Sequence, residues 1–325
     1  MRLNCSATTR GFTLIELLIA LTLGLILVAG TVVVFVQSRR SAMQDEEIAR
    51  VLQNGRFTVR LIMRELSMAG LWGNVTDGNA VSHHESLAVR RACNGDQSAD
   101  WVFALPAVAF LNNANSTDVA ASYDCLPHAD IVSGADILVS KRVAGTTTTA
   151  SDLQAGRIYV RSNGVSAQLF LASGEAAEPV MEGDTTNRAY IAQILYLRDY
   201  SVVVGDGIPT LCRAYLNTGT PPDMRNECLV EGVENLQLQF GIDTDGDAVA
   251  NFYHAAPDAA QLSNAVTVRI HLLLRSINSL PGHVDNAIYT LGKERMPAAS
   301  DGHFRRVFTS TVLLRNRRNA IWRGG

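Results

Sequence analysis

The sequence lacks proline ahead of Pro106, and it lacks charge between Glu16 and Arg39. Proline is the residue that most strongly interrupts a helix, so nothing in this region prevents one continuous helix. Leu14 to Val36 is almost wholly Leu, Ile, Val, Ala, Gly and Thr. A helix of roughly 20 such residues spans the hydrocarbon core of a bilayer. The sequence therefore predicts a membrane-spanning helix near its beginning.

Signals of catalysis and of nucleic-acid binding are also lacking. No Gly-x-Ser-x-Gly or comparable nucleophile signature occurs, so we do not expect an enzyme. The 325 residues carry 28 Lys and Arg against 31 Asp and Glu, and this balance gives no general electrostatic reason to bind nucleic acid. A group of arginines near the end of the chain could contact DNA or an acidic partner, but we expect a solvated strand end: Arg305, Arg306, Arg315, Arg317, Arg318 and Arg323.

A specific junction precedes the apolar run. Gly11-Phe12-Thr13-Leu14-Ile15-Glu16-Leu17 resembles the leader junction of type IV prepilins and of type II secretion pseudopilins. The resemblance implies that a prepilin peptidase cuts between Gly11 and Phe12 and methylates the new amino group of Phe12. Residues 1–11 would then be a leader that carries two arginines, and side-chain charge after its removal would be 26 − 31 = −5. An unprocessed single-pass anchor is the alternative.

Glu16 becomes the fifth residue of the processed chain. A carboxylate inside a membrane helix is costly, at roughly 2.5–3.5 kcal/mol near the helix centre, so it marks a functional site. The resemblance implies that this carboxylate meets the charged amino terminus of a neighbouring subunit and so sets the axial register of the two helices. The alternative is a carboxylate that reaches water at the membrane interface.

Four cysteines follow the leader region: Cys93, Cys125, Cys212 and Cys228. They would lie outside the cytoplasmic membrane, where disulfides persist. Three pairings are possible, and we favour Cys93–Cys125 and Cys212–Cys228 because nearest neighbours close local loops. A zinc site is the alternative, but no two of the four have the spacing that it usually needs.

The rest of the chain predicts an α+β, pilin-like fold. Residues 12–36 form the apolar half of a long helix, residues 37–69 its amphipathic half, and residues 70–325 a β-rich head with a possible subdomain boundary near 174–188. Glu47, Arg50, Arg60 and Arg64 fall on the polar face of the amphipathic half. Alternating or short apolar segments predict strands within 136–139, 157–160, 168–171, 189–204, 236–240, 266–274 and 307–314. Residues 70–130 read as largely loop.

Three further stretches, 233–241, 243–247 and 305–312, resemble the PilW family of type IV pilus assembly proteins. The resemblance implies a minor pilin that helps initiate pilus assembly near the filament tip, and through it twitching motility, adhesion or DNA uptake. Its partners would be other minor pilins, the major pilin, the prepilin peptidase and the inner-membrane assembly platform. It would be a single-pass protein of the bacterial inner membrane with a periplasmic head, and would join the pilus on assembly. The alternatives are a J-type pseudopilin of a type II secretion system and a membrane-anchored binding or enzymatic domain.

The segment Asp243-Thr244-Asp245-Gly246-Asp247 resembles a calcium-binding loop. Carboxylates at alternate positions can converge on one hard cation. The pattern departs from an EF-hand, since Gly246 is at the fourth position and His254 stands where a bidentate Glu belongs. The other interpretation is a polar hairpin turn in which Asp and Gly supply the turn geometry.

Overall fold

The computed structural model describes residues 11–75, 78–83, 87–93, 100–103, 107–172 and 178–316. Most of the expected leader, residues 1–10, lies outside this range, as do Arg317, Arg318 and Arg323.

A single helix, α1 (Leu14–Met68), opens the described chain. Its 55 residues correspond to roughly 82 Å at 1.5 Å per residue. Thr13 caps it, because the Thr13 Oγ1 accepts a hydrogen bond of 3.3 Å from the backbone N–H of Glu16. It ends at Met68, and Gly70, two residues further on, has a φ of 75°, the left-handed conformation common just after helices. The continuous helix expected from the absence of proline is confirmed.

The two halves of α1 have different surroundings. The most apolar 18-residue window has a mean hydropathy of 2.8 and none of it is buried, so α1 is long and apolar enough to cross a membrane. In the second half, Val51, Ile62 and Leu66 are buried against the head. The helix is therefore anchored to the head only beyond about residue 44.

The first eight strands form one sheet in which β6 is the organising strand. The strands are β1 (Val81–His83), β2 (Val108–Ala114), β3 (Ala135–Val143), β4 (Ile158–Ser162), β5 (Ala167–Leu171), β6 (Thr186–Arg198), β7 (Thr210–Asn217) and β8 (Asp223–Glu231). The β6 strand pairs with β4 through its first residues, with β3 through its middle and with β7 through its last residues. Pairing is antiparallel throughout, apart from β1 with β5.

A second sheet has the order β10-β9-β11-β14 and is antiparallel. Its strands are β9 (Val233–Ile242), β10 (Phe252–His254), β11 (Ala265–Arg275) and β14 (Arg305–Leu313), and a small hairpin joins β12 (Tyr289–Leu291) to β13 (Glu294–Met296). Short helices lie between strands: α2 (Asp100–Phe103), α3 (Ser116–Ser122) and α4 (Ala259–Ser263).

The chain passes from the first sheet to the second at Gly232. Gly232 has a φ of 80°, and a Cβ there would lie 2.6 Å from the carbonyl oxygen of Arg275, so only glycine fits. The β5 and β6 strands on either side of residues 174–188 belong to the same sheet.

The head carries two main apolar cores. One lies between α1 and both sheets and contains Ile62, Leu195, Phe240 and Leu272. The other lies under the region that follows α1 and contains Trp72, Ile137 and Tyr190. The pilin-like α+β fold is thus a long helix whose second half completes the core of a β-rich head.

Two regions differ from the expected structure. Residues 70–130 contain α2, α3, β1 and β2 in addition to loops, and the β7–β8 hairpin was not expected at all. The β8 strand carries many charged and polar residues, so it has no local apolar signal. It pairs with β7 along its length, and the disulfide between Cys212 of β7 and Cys228 of β8 joins the two strands.

Candidate functional site: the leader junction and the helix–head contact

The expected cleavage point lies at an accessible end of the described chain. Gly11 has no heavy atom within 4 Å of the position of a Cβ, and Phe12 is 84% exposed. Both residues precede the first turn of α1, so the Gly11–Phe12 bond lies outside the helix.

Glu16 lies in the first turn of α1, where the helix dipole favours a negative charge. Its backbone N–H is bound by Thr13, but its carboxylate has no hydrogen-bond or ion-pair partner in the described part of the chain. Every residue from Leu14 to Val36 is exposed. No described residue of the head covers this half of α1.

Two acids of the second half, Glu65 and Glu47, find partners in the head instead. Glu65 is 6% exposed and forms a bidentate ion pair with the buried Arg142 of β3, with distances of 2.7 Å from Nε to Oε2 and 3.0 Å from Nη2 to Oε1. Two parallel charge-assisted hydrogen bonds fix both distance and orientation. This pair ties the end of α1 to the first sheet.

Glu47 ties the middle of α1 to a loop that follows β11. Its carboxylate accepts hydrogen bonds from the backbone N–H of Ile277 at 3.2 Å and from the side-chain amide of Asn278 at 2.8 Å. Glu47 lies on the predicted polar face of α1, but it is only 7% exposed because the head covers it there. Its donors come from a loop about 230 residues further along the chain.

Gly55 gives α1 its closest approach to the second sheet. A Cβ at this position would lie 2.3 Å from the ring of Phe308, which belongs to β14. Since real side chains do not approach so closely, the helix and the strand can pack at this distance only through a glycine.

Arg305 holds the long segment between β11 and β14 in place. It is 7% exposed and binds three carboxylates: Glu234 at 2.7 Å, Asp285 at 3.2 Å and Asp301 at 2.6 Å. Its hydrogen bond to Asp301 is the largest cause of the raised pKa of Arg305 and of the lowered pKa of Asp301. The expectation of a solvated strand end is therefore wrong for Arg305, although Arg306 is exposed.

Two family models match these parts of the chain. Residues 7–32 match the prokaryotic N-terminal methylation motif, and residues 199–316 match the type IV pilus-assembly protein W family. Together the two matches support a type IV pilus minor pilin of the PilW family. The motif and the apolar start of α1 together make it a membrane-anchored pilin, and they imply interaction with other pilins and with a prepilin peptidase. No curated protein and no solved structure matches this chain.

The PilW-matched segment starts after β6 and ends after β14, so it contains the whole second sheet and the β7–β8 hairpin. It also contains Gly232, Arg305 with its three carboxylates, and Phe308 opposite Gly55. The matched segment is thus the part of the head that contacts the middle of α1.

Both cysteine pairs favoured from the sequence are joined in the structure. Cys93 and Cys125 connect the residues ahead of α2 to those after α3, and Cys212 and Cys228 face each other on β7 and β8. The pairs are separated by 32 and 16 residues. Disulfides closing loops of this size stabilise a fold by about 2–4 kcal/mol each.

The three aspartates of the candidate calcium loop each place one carboxylate oxygen within 4.8 Å of the other two. Asp243, however, already accepts hydrogen bonds from three backbone N–H groups: those of Asp245, Gly246 and Ala248. Burial raises the pKa of Asp243, but these hydrogen bonds outweigh burial and the pKa lies below its ordinary value. The geometry is that of a tight turn built around Asp243, and calcium binding stays a prediction.

Asp136 joins the two sheets of the head. It is fully buried on β3 and accepts hydrogen bonds from the backbone N–H of Asn113 at 2.8 Å and of Leu238 on β9 at 2.7 Å. Burial raises the pKa of Asp136 from 3.8 to about 7, and the two hydrogen bonds only partly oppose this. The sequence carried no signal for this role, since a single Asp before an apolar strand resembles a turn residue.

Proposed function

We propose that this chain is a minor pilin that is processed by a prepilin peptidase and helps initiate type IV pilus assembly in a tip or priming complex. The observation that carries the proposal is the leader junction at Gly11–Phe12, placed directly ahead of a helix whose first half is wholly exposed. The PilW-family match of residues 199–316 supports the same function.

Glu16 would act by pairing with the amino terminus of a neighbouring subunit. An unpaired carboxylate and an unpaired ammonium each cost several kcal/mol in hydrocarbon. Docking one against the other removes both penalties only when the two helices lie in one axial register. Glu16 would therefore set the stagger between subunits.

Before assembly, the apolar half of α1 would span the inner membrane once, with the head in the periplasm. Two disulfides in the head support this orientation, because the periplasm is an oxidising compartment. After assembly, the same half of α1 would enter the filament core beside the major pilin and other minor pilins.

We infer a structural protein with no catalytic activity. A cleft of about 280 Å³ opens where β4 and β7 separate along β6. Three arginines and two tyrosines are prominent in its lining, whereas no Ser, Cys or His side chain lines it. Such a lining offers no nucleophile paired with a general base.

The test is Glu16→Ala in the full chain, with Glu46→Ala as a control on the same helix. Glu46 is exposed and pairs only with Arg50 one turn away. We expect Glu16→Ala to be cleaved and inserted normally but to lose co-purification with other minor pilins and to reduce surface pili. Normal assembly of Glu16→Ala would contradict the register role, and uncleaved protein in functional pili would contradict the proposed function.

Calcium binding is tested separately by thermal melting of the purified head with and without calcium. A rise in Tm with calcium that disappears in Asp245→Ala would assign a cation to the loop. An unchanged Tm would leave Asp243 with its turn role alone.

A further inference from the structure

An arginine stripe lies on the solvent face of α1 and has no counter-charge on that helix. Arg56, Arg60 and Arg64 are all exposed and follow one another at intervals of four residues, so they line one face of the helix. From Ala49 to Met68 the only acid is Glu65. Since Glu65 is buried and already paired with Arg142, it cannot neutralise the stripe.

The other described elements do not neutralise it either. In the described ranges none of the three guanidinium groups forms an ion pair, and the one side-chain hydrogen bond among them runs from Arg60 Nε to the backbone oxygen of Arg56. Like charges at this spacing destabilise a helix. The arrangement therefore costs stability in the isolated chain and gains nothing there.

An exposed aromatic side chain accompanies the stripe. Phe57 is 51% exposed and lies between Arg56 and Arg60 in sequence. Arginine and aromatic residues are the types enriched at the centres of protein interfaces, and charged pairs there fix orientation. Phe57 with three arginines offers an apolar anchor beside a row of bidentate donors for carboxylates.

We propose that Arg56, Phe57, Arg60 and Arg64 dock onto a carboxylate-bearing surface of an adjacent pilin subunit. The proposal rests on the proposed function, because a neighbouring subunit packed lengthwise along α1 is what brings a protein surface to this face. The partner surface would present Asp or Glu side chains at a spacing of about 6 Å, one for each helical turn between arginines.

Position argues against a lipid surface as the occupant. Arg56 follows Val36 by 20 residues, which is about 30 Å along the helix. Attraction between exposed charges is screened within about 8 Å at physiological ionic strength. The stripe is thus too far from the membrane half of α1 to bind lipid headgroups. The net charge of −3 also disfavours nucleic acid as the general partner.

Charge reversal in the full chain tests the surface. Arg60→Glu/Arg64→Glu is compared with Arg295→Glu/Arg306→Glu, a control with the same change in net charge at exposed sites in the second half of the chain. We expect the stripe variant to be cleaved and folded normally but to lose at least about tenfold in co-purified pilins, which corresponds to the loss of about 1.4 kcal/mol. The control should co-purify like the unaltered chain.

Cross-linking identifies the partner. Arg60→Lys keeps the charge and supplies an amine that a carbodiimide joins to a contacting carboxylate. A cross-link to an Asp or Glu of another subunit with a methylated amino terminus supports the proposal. Cross-links within the same chain only, wild-type co-purification of the stripe variant, or a loss confined to binding of a DNA duplex would each overturn it.

Gene deletion separates failure of the docking surface from failure of the proposed function. If the chain is a minor pilin but the stripe is not a docking surface, deletion of the gene abolishes pili while the stripe variant restores them fully. If the chain is not a minor pilin, the deletion itself leaves piliation unchanged.

Discussion

The two halves of α1 satisfy their carboxylates in opposite ways. In the second half, Glu65 and Glu47 find Arg142 and the 277–278 loop within the same chain. In the first half, Glu16 has no partner in the described chain. One uninterrupted helix therefore carries a segment designed for contacts within the head and a segment that is complete only when another molecule surrounds it. The difference separates folding from assembly along a single element.

The largest effect is expected when the ion pair that anchors the second half of α1 is removed. Glu65→Ala leaves the guanidinium of Arg142 buried without its counter-charge, and removing one partner of a buried pair costs about 3–5 kcal/mol. Urea denaturation of the full chain in detergent measures the loss. In Glu65→Met/Arg142→Leu both charges are gone, so this variant should be more stable than Glu65→Ala. If Glu65→Ala unfolds like the unaltered chain, the ion pair does not anchor α1.

Asp136 is a buried carboxyl that, unlike Glu65, is not paired with a cation in the described chain, so its effect on stability should depend on pH. Asp136 has a pKa raised from 3.8 to about 7 by burial, so the folded protein holds this proton where the unfolded chain has released it. The unfolded state binds fewer protons between these two values, and stability must fall as pH rises through that window. The expected slope from this group is about 1.4 kcal/mol per pH unit near pH 5 to 6.

The measurement is the free energy of unfolding at several pH values for the unaltered chain and for Asp136→Asn. The variant loses one acceptor for the N–H groups of Asn113 and Leu238, so it should be less stable overall. Its pH dependence in the window should be flatter. An identical slope in both proteins would assign the titration to another group.

Glycine substitutions compare the halves directly. Gly55→Ala places a methyl group against the Phe308 ring, and overpacking of this kind costs about 1–3 kcal/mol. Alanine recovers about 1 kcal/mol of helix propensity, so the net loss is smaller than the overpacking itself. Gly24→Ala, where no atom lies within 4 Å, should leave the stability of the head unchanged. Equal losses at both sites would mean that the halves are not distinct.

The smallest expected effect is the removal of the first half. A chain that begins at Gln37 loses no contact with the head, since residues 14–36 are exposed throughout. Its thermal Tm should match that of the full chain in detergent. A clear fall in Tm would show that the apolar half stabilises the head by a route other than direct contact.

Features that depend on local sequence can be predicted from it, whereas features that depend on partners distant in sequence cannot. The length of α1 follows from the absence of proline and from local periodicity, and β9, β11 and β14 follow from alternation. Glu47 on the predicted polar face of α1 is buried, and Arg305 is buried although the sequence predicts a solvated strand end. The donors to Glu47 lie about 230 residues away, and two of the three carboxylates that bind Arg305 lie 71 and 20 residues away, so local residue type and spacing carry no record of them.

An uninterrupted helix couples translation to rotation. Each residue of an α-helix advances by 1.5 Å and turns by about 100°. If the position of α1 that faces a neighbouring subunit shifts by one residue, the entire head turns by more than a quarter of a revolution about the axis of α1. The depth at which Glu16 comes to rest would then choose which side of the head its neighbours meet.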